Sequence, residues 1–215
     1  MIKVHKSYSL DLSPEQTFFT KRVYEPMGRA PMFSIPQWNH CLIARLLHGA
    51  WLMNALSRPE NGGTIDFNAP EGHRFLEWEL RDGEAVCFDF RKLVGFSSTV
   101  RLEMVVSLRL TAFSMNRLFY HVAVGPGKLL LETGGVPNVF YTAAEAKSFP
   151  PSRLICWSAD SVFGLEANSG TMDHYFSAAY LKALETRGLV IDADDLKETS
   201  GGFLTKLVKR MYGVG

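Results

Sequence analysis

The chain has 215 residues, with 23 basic and 22 acidic side chains and a net charge of +1. That balance argues against a broad electrostatic surface for nucleic acid, and 47% hydrophobic with 21% charged residues excludes a disordered chain. No apolar run approaches the ~20 residues of a membrane span. The opening segment, Met1 to Gln16, has no apolar core of the kind a secretory signal needs. The three cysteines, Cys41, Cys87 and Cys156, contain no CxxC pair, so a zinc knuckle and a thioredoxin-type motif are both missing. Their odd number suits a reducing compartment, and a cytoplasmic location is expected.

Along the chain, Trp38 to His48, closed by Gly49, reads as a helix that is apolar on more than one face. Asn61-Gly62-Gly63 reads as a turn that opens a strand over Thr64 to Phe67. Phe75 to Leu80 alternates, with Leu76, Trp78 and Leu80 facing one way. Arg81-Asp82-Gly83-Glu84 is a turn, after which Ala85 to Phe90 resumes as strand. From Arg101 to Phe113 the even positions Leu102, Met104, Val106, Leu108, Leu110 and Ala112 are apolar. Their period of 2 predicts one long half-buried strand. Arg117 to Val124 and Lys128 to Glu132 flank Gly125-Pro126-Gly127, which reads as a tight connection between two antiparallel strands. Gly95 and Gly164 are grouped with these as structural turn positions. Met172, Tyr175, Phe176, Ala179, Tyr180, Ala183 and Leu184 recur at helical spacing, between a Thr171 cap and a Gly188 stop. They predict a helix over 172–187. Gly202 to Tyr212 reads as a short terminal helix.

The chain also repeats itself. Val86-Cys87-Phe88 with Val94-Gly95-Phe96 is echoed 69 residues later by Ile155-Cys156-Trp157 with Phe163-Gly164-Leu165. A period of that length is too long for a solenoid unit and points to two similar β-modules packed pseudosymmetrically. The expectation is one mainly β domain over 1–215, a sandwich or barrel with one to three accessory helices. Its modules run over roughly 60–148 and 149–200, joined at Phe149-Pro150-Pro151-Ser152, with an amphipathic tail over 201–215.

The order of pieces resembles a known family. Gly83-Glu84 enters a strand, Leu93-Val94-Gly95-Phe96 follows, then the long alternating strand, then Val124-Gly125-Pro126-Gly127-Lys128-Leu129-Leu130-Leu131. This is similar to the altered inheritance of mitochondria protein 24 family, whose fold is likened to the tryptophan RNA-binding attenuation protein. The resemblance covers about residues 45 to 200. It implies a β-sandwich or double-stranded β-helix of quasi-repeated modules that self-associate. It carries over no catalytic residue and does not imply RNA binding.

No catalytic signature survives inspection of the residues. The GxSxG elbow is missing. Gly125-Pro126-Gly127 lacks the spacing and the following helix of a phosphate loop. Asp192-Ala193-Asp194-Asp195 fails the calcium-loop template, because Leu196 and Lys197 stand where an oxygen ligand and Gly belong. Cys87 and Cys156 sit in apolar strands and read as core. A cupin metal site needs two His spaced i, i+2, and no such pair occurs among His5, His40, His48, His73, His121 and His174. The nearest imitation is His73 with Glu77, Glu79 and His121, and these four are the ligand candidates. Phe203, Lys206, Leu207, Lys209 and Arg210 form a basic amphipathic segment that would touch a membrane surface or a partner. The leading expectation is a non-enzymatic binding, scaffolding or assembly protein that self-associates through its β-structure, with an unidentified protein partner, no cofactor, no metal and no nucleic acid. The alternatives are a small-ligand or metal-binding barrel using the four candidates and a peripheral membrane protein using the tail.

Overall fold

Val, Ile, Leu and aromatic residues concentrated in short runs between Gly, Pro and Asp turns favour extended chain, and the computed structural model is mainly β. It describes residues 1–13, 15–21, 23–24, 32–34, 53–58, 64–106, 119–146, 148–166 and 180–193. Among the described residues no helix reaches seven residues; Phe90–Lys92, Ala143–Glu145 and Pro151–Arg153 form single 3-10 turns. The expected helix over 38–48, the turn at 61–63 and the terminal segment over 201–215 lie outside the described residues.

The strands in chain order are β1 (Ile2–His5), β2 (Ser7–Leu10), β3 (Thr17–Lys21), β4 (Met32–Ser34), β5 (Met53–Ser57), β6 (Ile65–Asn68), β7 (Arg74–Leu80), β8 (Ala85–Phe88) and β9 (Leu93–Ser97). They continue with β10 (Arg101–Val106), β11 (Phe119–Val124), β12 (Gly127–Thr133), β13 (Asn138–Phe140), β14 (Leu154–Ser158), β15 (Val162–Glu166), β16 (Tyr180–Glu185) and β17 (Leu189–Ile191). A seven-stranded sheet has the order β1-β7-β12-β9-β3-β5-β4, and a six-stranded sheet the order β10-β11-β8-β14-β17-β13. Two further pairs, β2-β6 and β15-β16, stand beside them.

The chain divides into two compact units, each woven from three segments: Met1–Ala85 with Phe90–Glu103 and Ala123–Val136, and Val86–Asp89 with Met104–Val122 and Pro137–Gly215. These are not the consecutive modules 60–148 and 149–200, because strand pairing joins residues far apart in sequence.

In the first unit, β7 is an interior strand between β1 and β12. Leu76, Trp78 and Leu80 share a buried face as the alternation predicts. The opposite face is buried at Phe75 and Glu77, and Phe75 packs with Phe18, Leu56 and Leu130 of the same sheet and with Tyr8, Leu10, Ile65 and Phe67 of the β2-β6 pair. The turn after β7 forms as expected: Gly83 has φ +70, and the Glu84 carboxylate accepts from the Arg81 N–H at 2.9 Å and from Trp78 Nε1 at 3.0 Å. Gly125-Pro126-Gly127 is not a hairpin turn. β11 belongs to the six-stranded sheet and β12 to the seven-stranded one, so this segment carries the chain between sheets. Gly125 donates its N–H to Glu84 O at 2.9 Å, and a Cβ there would lie 2.2 Å from Arg81 O.

In the second unit the sequence repeat acquires a structural meaning. The echoed segments are neighbouring antiparallel strands, β8 and β14, with Cys87 opposite Trp157 and Phe88 opposite Cys156. Their flanking strands are β11 and β17, and Leu189–Ile191 of β17 follows residues 120–122 of β11 by the same 69 residues. The four central strands therefore follow a local twofold. Gly95 and Gly164, by contrast, are not in turns; both lie mid-strand, in β9 and β15.

Two further expectations are corrected. The helix over 172–187 is contradicted at its C-terminal half: Tyr180–Glu185 is strand β16, paired with β15 through Phe163↔Ala183 and Leu165↔Leu181. Burial there alternates, with Leu181 and Ala183 inside and Tyr180 and Leu184 exposed. Ladder hydrogen bonds and a period-2 core contact override the helical spacing. The strand over 101–113 is described only as far as Val106, and its even face is not uniformly buried: Leu102 is inside, but Met104 and Val106 are exposed.

Candidate functional site

The four ligand candidates do not converge. His73 precedes β7 in a turn where its N–H donates to Pro70 O at 3.0 Å. Its Nδ1 lies 2.6 Å from Glu132 Oε1, a close approach outside aligned hydrogen-bond geometry. Glu77 is buried mid-strand beside Tyr8: burial, with the neighbouring Glu77 carboxylate, holds the Tyr8 phenol well above its usual range. Glu79 is exposed and stands opposite Lys128, and its carbonyl accepts from the Met1 ammonium at 2.9 Å. His121 belongs to the second unit, buried on β11 with its ring 6.2 Å from that of Phe88. Among the described residues no group of three or more His, Cys, Asp or Glu side chains is arranged to hold a metal ion.

What the fold does assemble around His73 is a different set. Register pairs Glu132 with Phe75 and Thr133 with Arg74, which brings Glu132 beside the start of β7. Tyr24, in the turn closing β3, donates its O–H to Glu132 Oε2 and sets its ring edge-on to Phe75 at 6.0 Å. Burial, then this hydrogen bond to Glu132, pushes the Tyr24 phenol far above its ordinary value, so it stays a donor. Glu132 opens into a pocket of about 620 Å³ walled by Val23, Phe67, Ala69 and Pro70, with Asn68 alongside. Glu132 had a faint sequence signal, as the acid that ends the apolar run Leu129-Leu130-Leu131. Tyr24 had none, because 108 residues separate it from its partner.

Cys87 and Cys156 are free and buried. Cross-strand pairing puts Cys87 on the face of Trp157 and Cys156 on that of Phe88, so the thiols point to opposite sides of the sheet. Burial pushes the Cys87 thiol up to about 12; burial, then the neighbouring Cys87, raises that of Cys156. Neither is an activated nucleophile. A folded-state value above the unfolded one means this stability is fully present below about pH 9 and is lost as pH rises toward 12. The unfolding free energy measured in urea is expected to fall between pH 8 and pH 11, and to fall less in Cys87→Ala.

No family model and no curated protein matches the chain. A solved structure does: protein SPYM3_0169 from Streptococcus pyogenes, a crystal structure from structural genomics, at a TM-score of 0.59 and 12% sequence identity, covering 98% of this chain and 99% of that one. That likeness establishes a shared mainly β, sandwich-like fold. No helix among the described residues is long and apolar enough to cross a membrane. The tail residues Phe203, Lys206, Leu207, Lys209 and Arg210 lie outside the described residues.

Proposed function

We propose that this protein is a non-catalytic assembly protein whose copies join along strand β10. The observation that carries this reading is the outer position of β10 in the six-stranded sheet. Among the described residues it has a strand neighbour on one side only, and Met104, Val105 and Val106 are 39%, 47% and 57% exposed. Three consecutive apolar residues put apolar surface on both faces of a strand that, among the described residues, has one side without a strand partner. A second copy answers that edge with the same residues, since an antiparallel strand pair about a twofold is self-complementary. Natural sheets that stay monomeric commonly guard such an edge with charge.

The reading also takes the chain as a member of the altered inheritance of mitochondria protein 24 family, with its attenuation-protein-like fold and self-association. The support is the strand and turn motifs, which fall at the entry to β8, on β9 and across β11–β12. A cytoplasmic location goes with it, supported by the free cysteines Cys87 and Cys156.

Light scattering on a size-exclusion peak at tens of micromolar tests the reading. The wild-type chain is expected to run as a dimer or larger. Val105→Lys combined with Val106→Lys, both at exposed positions, is expected to give a folded monomer. A strictly monomeric wild type, or an assembly unchanged by the double substitution, overturns it.

A further inference from the structure

We infer that the pocket beside β6 and β12 is a binding site for a small organic cation: a primary ammonium group carried on a compact apolar body. The walls set the second half of that description. Val23, Ala69 and Pro70 present apolar surface around a space of about 620 Å³, within the range that takes small molecules. Glu132 sets the first half, as the one formally charged side chain among the described residues that line the pocket.

The carboxylate is held in place for this task. Tyr24 donates to Oε2, and His73 Nδ1 approaches Oε1 at 2.6 Å. Each carboxylate oxygen has a second lone pair for a further donor. An ammonium group supplies up to three N–H donors and the opposite charge. A ligand carboxylate would meet Glu132 as a like charge, and a neutral hydroxyl would forgo the charge term. The carboxylate and its phenol partner come from elements far apart in the chain, so the site exists only in the fold, and it is independent of assembly along β10.

Calorimetric titration of the full-length protein with three ligands that share one apolar body tests the inference: phenethylamine, 2-phenylethanol and 3-phenylpropionate. Phenethylamine is expected to bind saturably with one site per chain, at least about tenfold more tightly than the other two. Glu132→Gln, checked for folding by circular dichroism, is expected to lose about tenfold in phenethylamine affinity. Equal or tighter binding of 3-phenylpropionate, no saturable binding of the amine, or undiminished binding by Glu132→Gln overturns it. Should Glu132→Gln not fold, the order of the three ligands on the wild-type protein decides the matter. Loss of assembly in the β10 double variant with phenethylamine binding intact would separate this site from the proposed interface.

Discussion

Gly95→Ala is expected to destabilise the protein by about 3 kcal/mol or more, the upper end of the range for overpacking a filled core. Gly95 lies in the middle of β9, between Leu130 of β12 and Thr20 of β3. A Cβ there would lie 2.4 Å from Phe19 O and 2.7 Å from Phe18 Cε1. The first of these is backbone in a sheet with partners on both sides, so it cannot withdraw without breaking ladder hydrogen bonds. Gly164 is the repeat-related glycine, and for the same substitution there the three nearest atoms all belong to the Leu184 side chain, at 3.4 to 3.6 Å. Leu184 is exposed and free to turn away, so Gly164→Ala is expected to change stability by less than about 0.5 kcal/mol, as for ordinary surface changes. Urea midpoints for the two variants, measured together, check the contrast. Similar losses at both positions would mean that the two glycines serve one local conformational role and that close approach at β9 is not what selects glycine.

Phe75→Ala is expected to lose about 3–5 kcal/mol, the range for deleting a buried phenyl ring from a core that cannot collapse onto the space. Phe75 is fully buried and lies on the interior strand β7, with β1 and β12 on either side. Its ring touches the cluster built from the large sheet and the β2-β6 pair, and it stands against the Tyr24 ring that orders Glu132. The same variant is therefore expected to weaken the Tyr24–Glu132 contact as well as the core. Val4→Ala, on the exposed edge strand β1, is the control and is expected to cost under about 0.5 kcal/mol. Thermal or urea unfolding separates the two, and a loss at Phe75 no larger than at Val4 would deny that this cluster is the core of the first unit.

The candidate site shows where sequence reading loses its hold. His73, a candidate from the sequence, lies beside Glu132, which lines the pocket. Its expected companions are Glu77 and Glu79, near it along the chain, and the distant His121, and strand geometry disperses them. Glu77 falls on a buried face, where it meets Tyr8, and Glu79 reaches solvent opposite Lys128. His121 is in the other unit. The true neighbour of His73 is 59 residues away, brought there by the antiparallel register of β12 on β7. Nothing local encodes a register; it follows from which buried faces must match across the whole sheet.

What the sequence by itself determined is the class of fold and much of its punctuation. Short alternating runs of β-branched and aromatic residues between Gly and Pro turns make a mainly β chain, because side-chain period and backbone freedom are local properties. The 69-residue echo around Cys87 and Cys156 was legible for a related reason, since two strands related by a local twofold see similar surroundings and keep similar residues. The tertiary structure alone decided which strands pair. It turned Gly125-Pro126-Gly127 from a hairpin into a passage between sheets, and the helical spacing at Tyr180 to Leu184 into strand β16. It also left Met104 to Val106 exposed on a strand with one neighbour among the described residues, and brought Tyr24 and His73 to Glu132. These outcomes depend on ladder hydrogen bonds and core contacts between residues distant in sequence, and such long-range terms outweigh the fractions of a kcal/mol per residue by which local propensity distinguishes helix from strand.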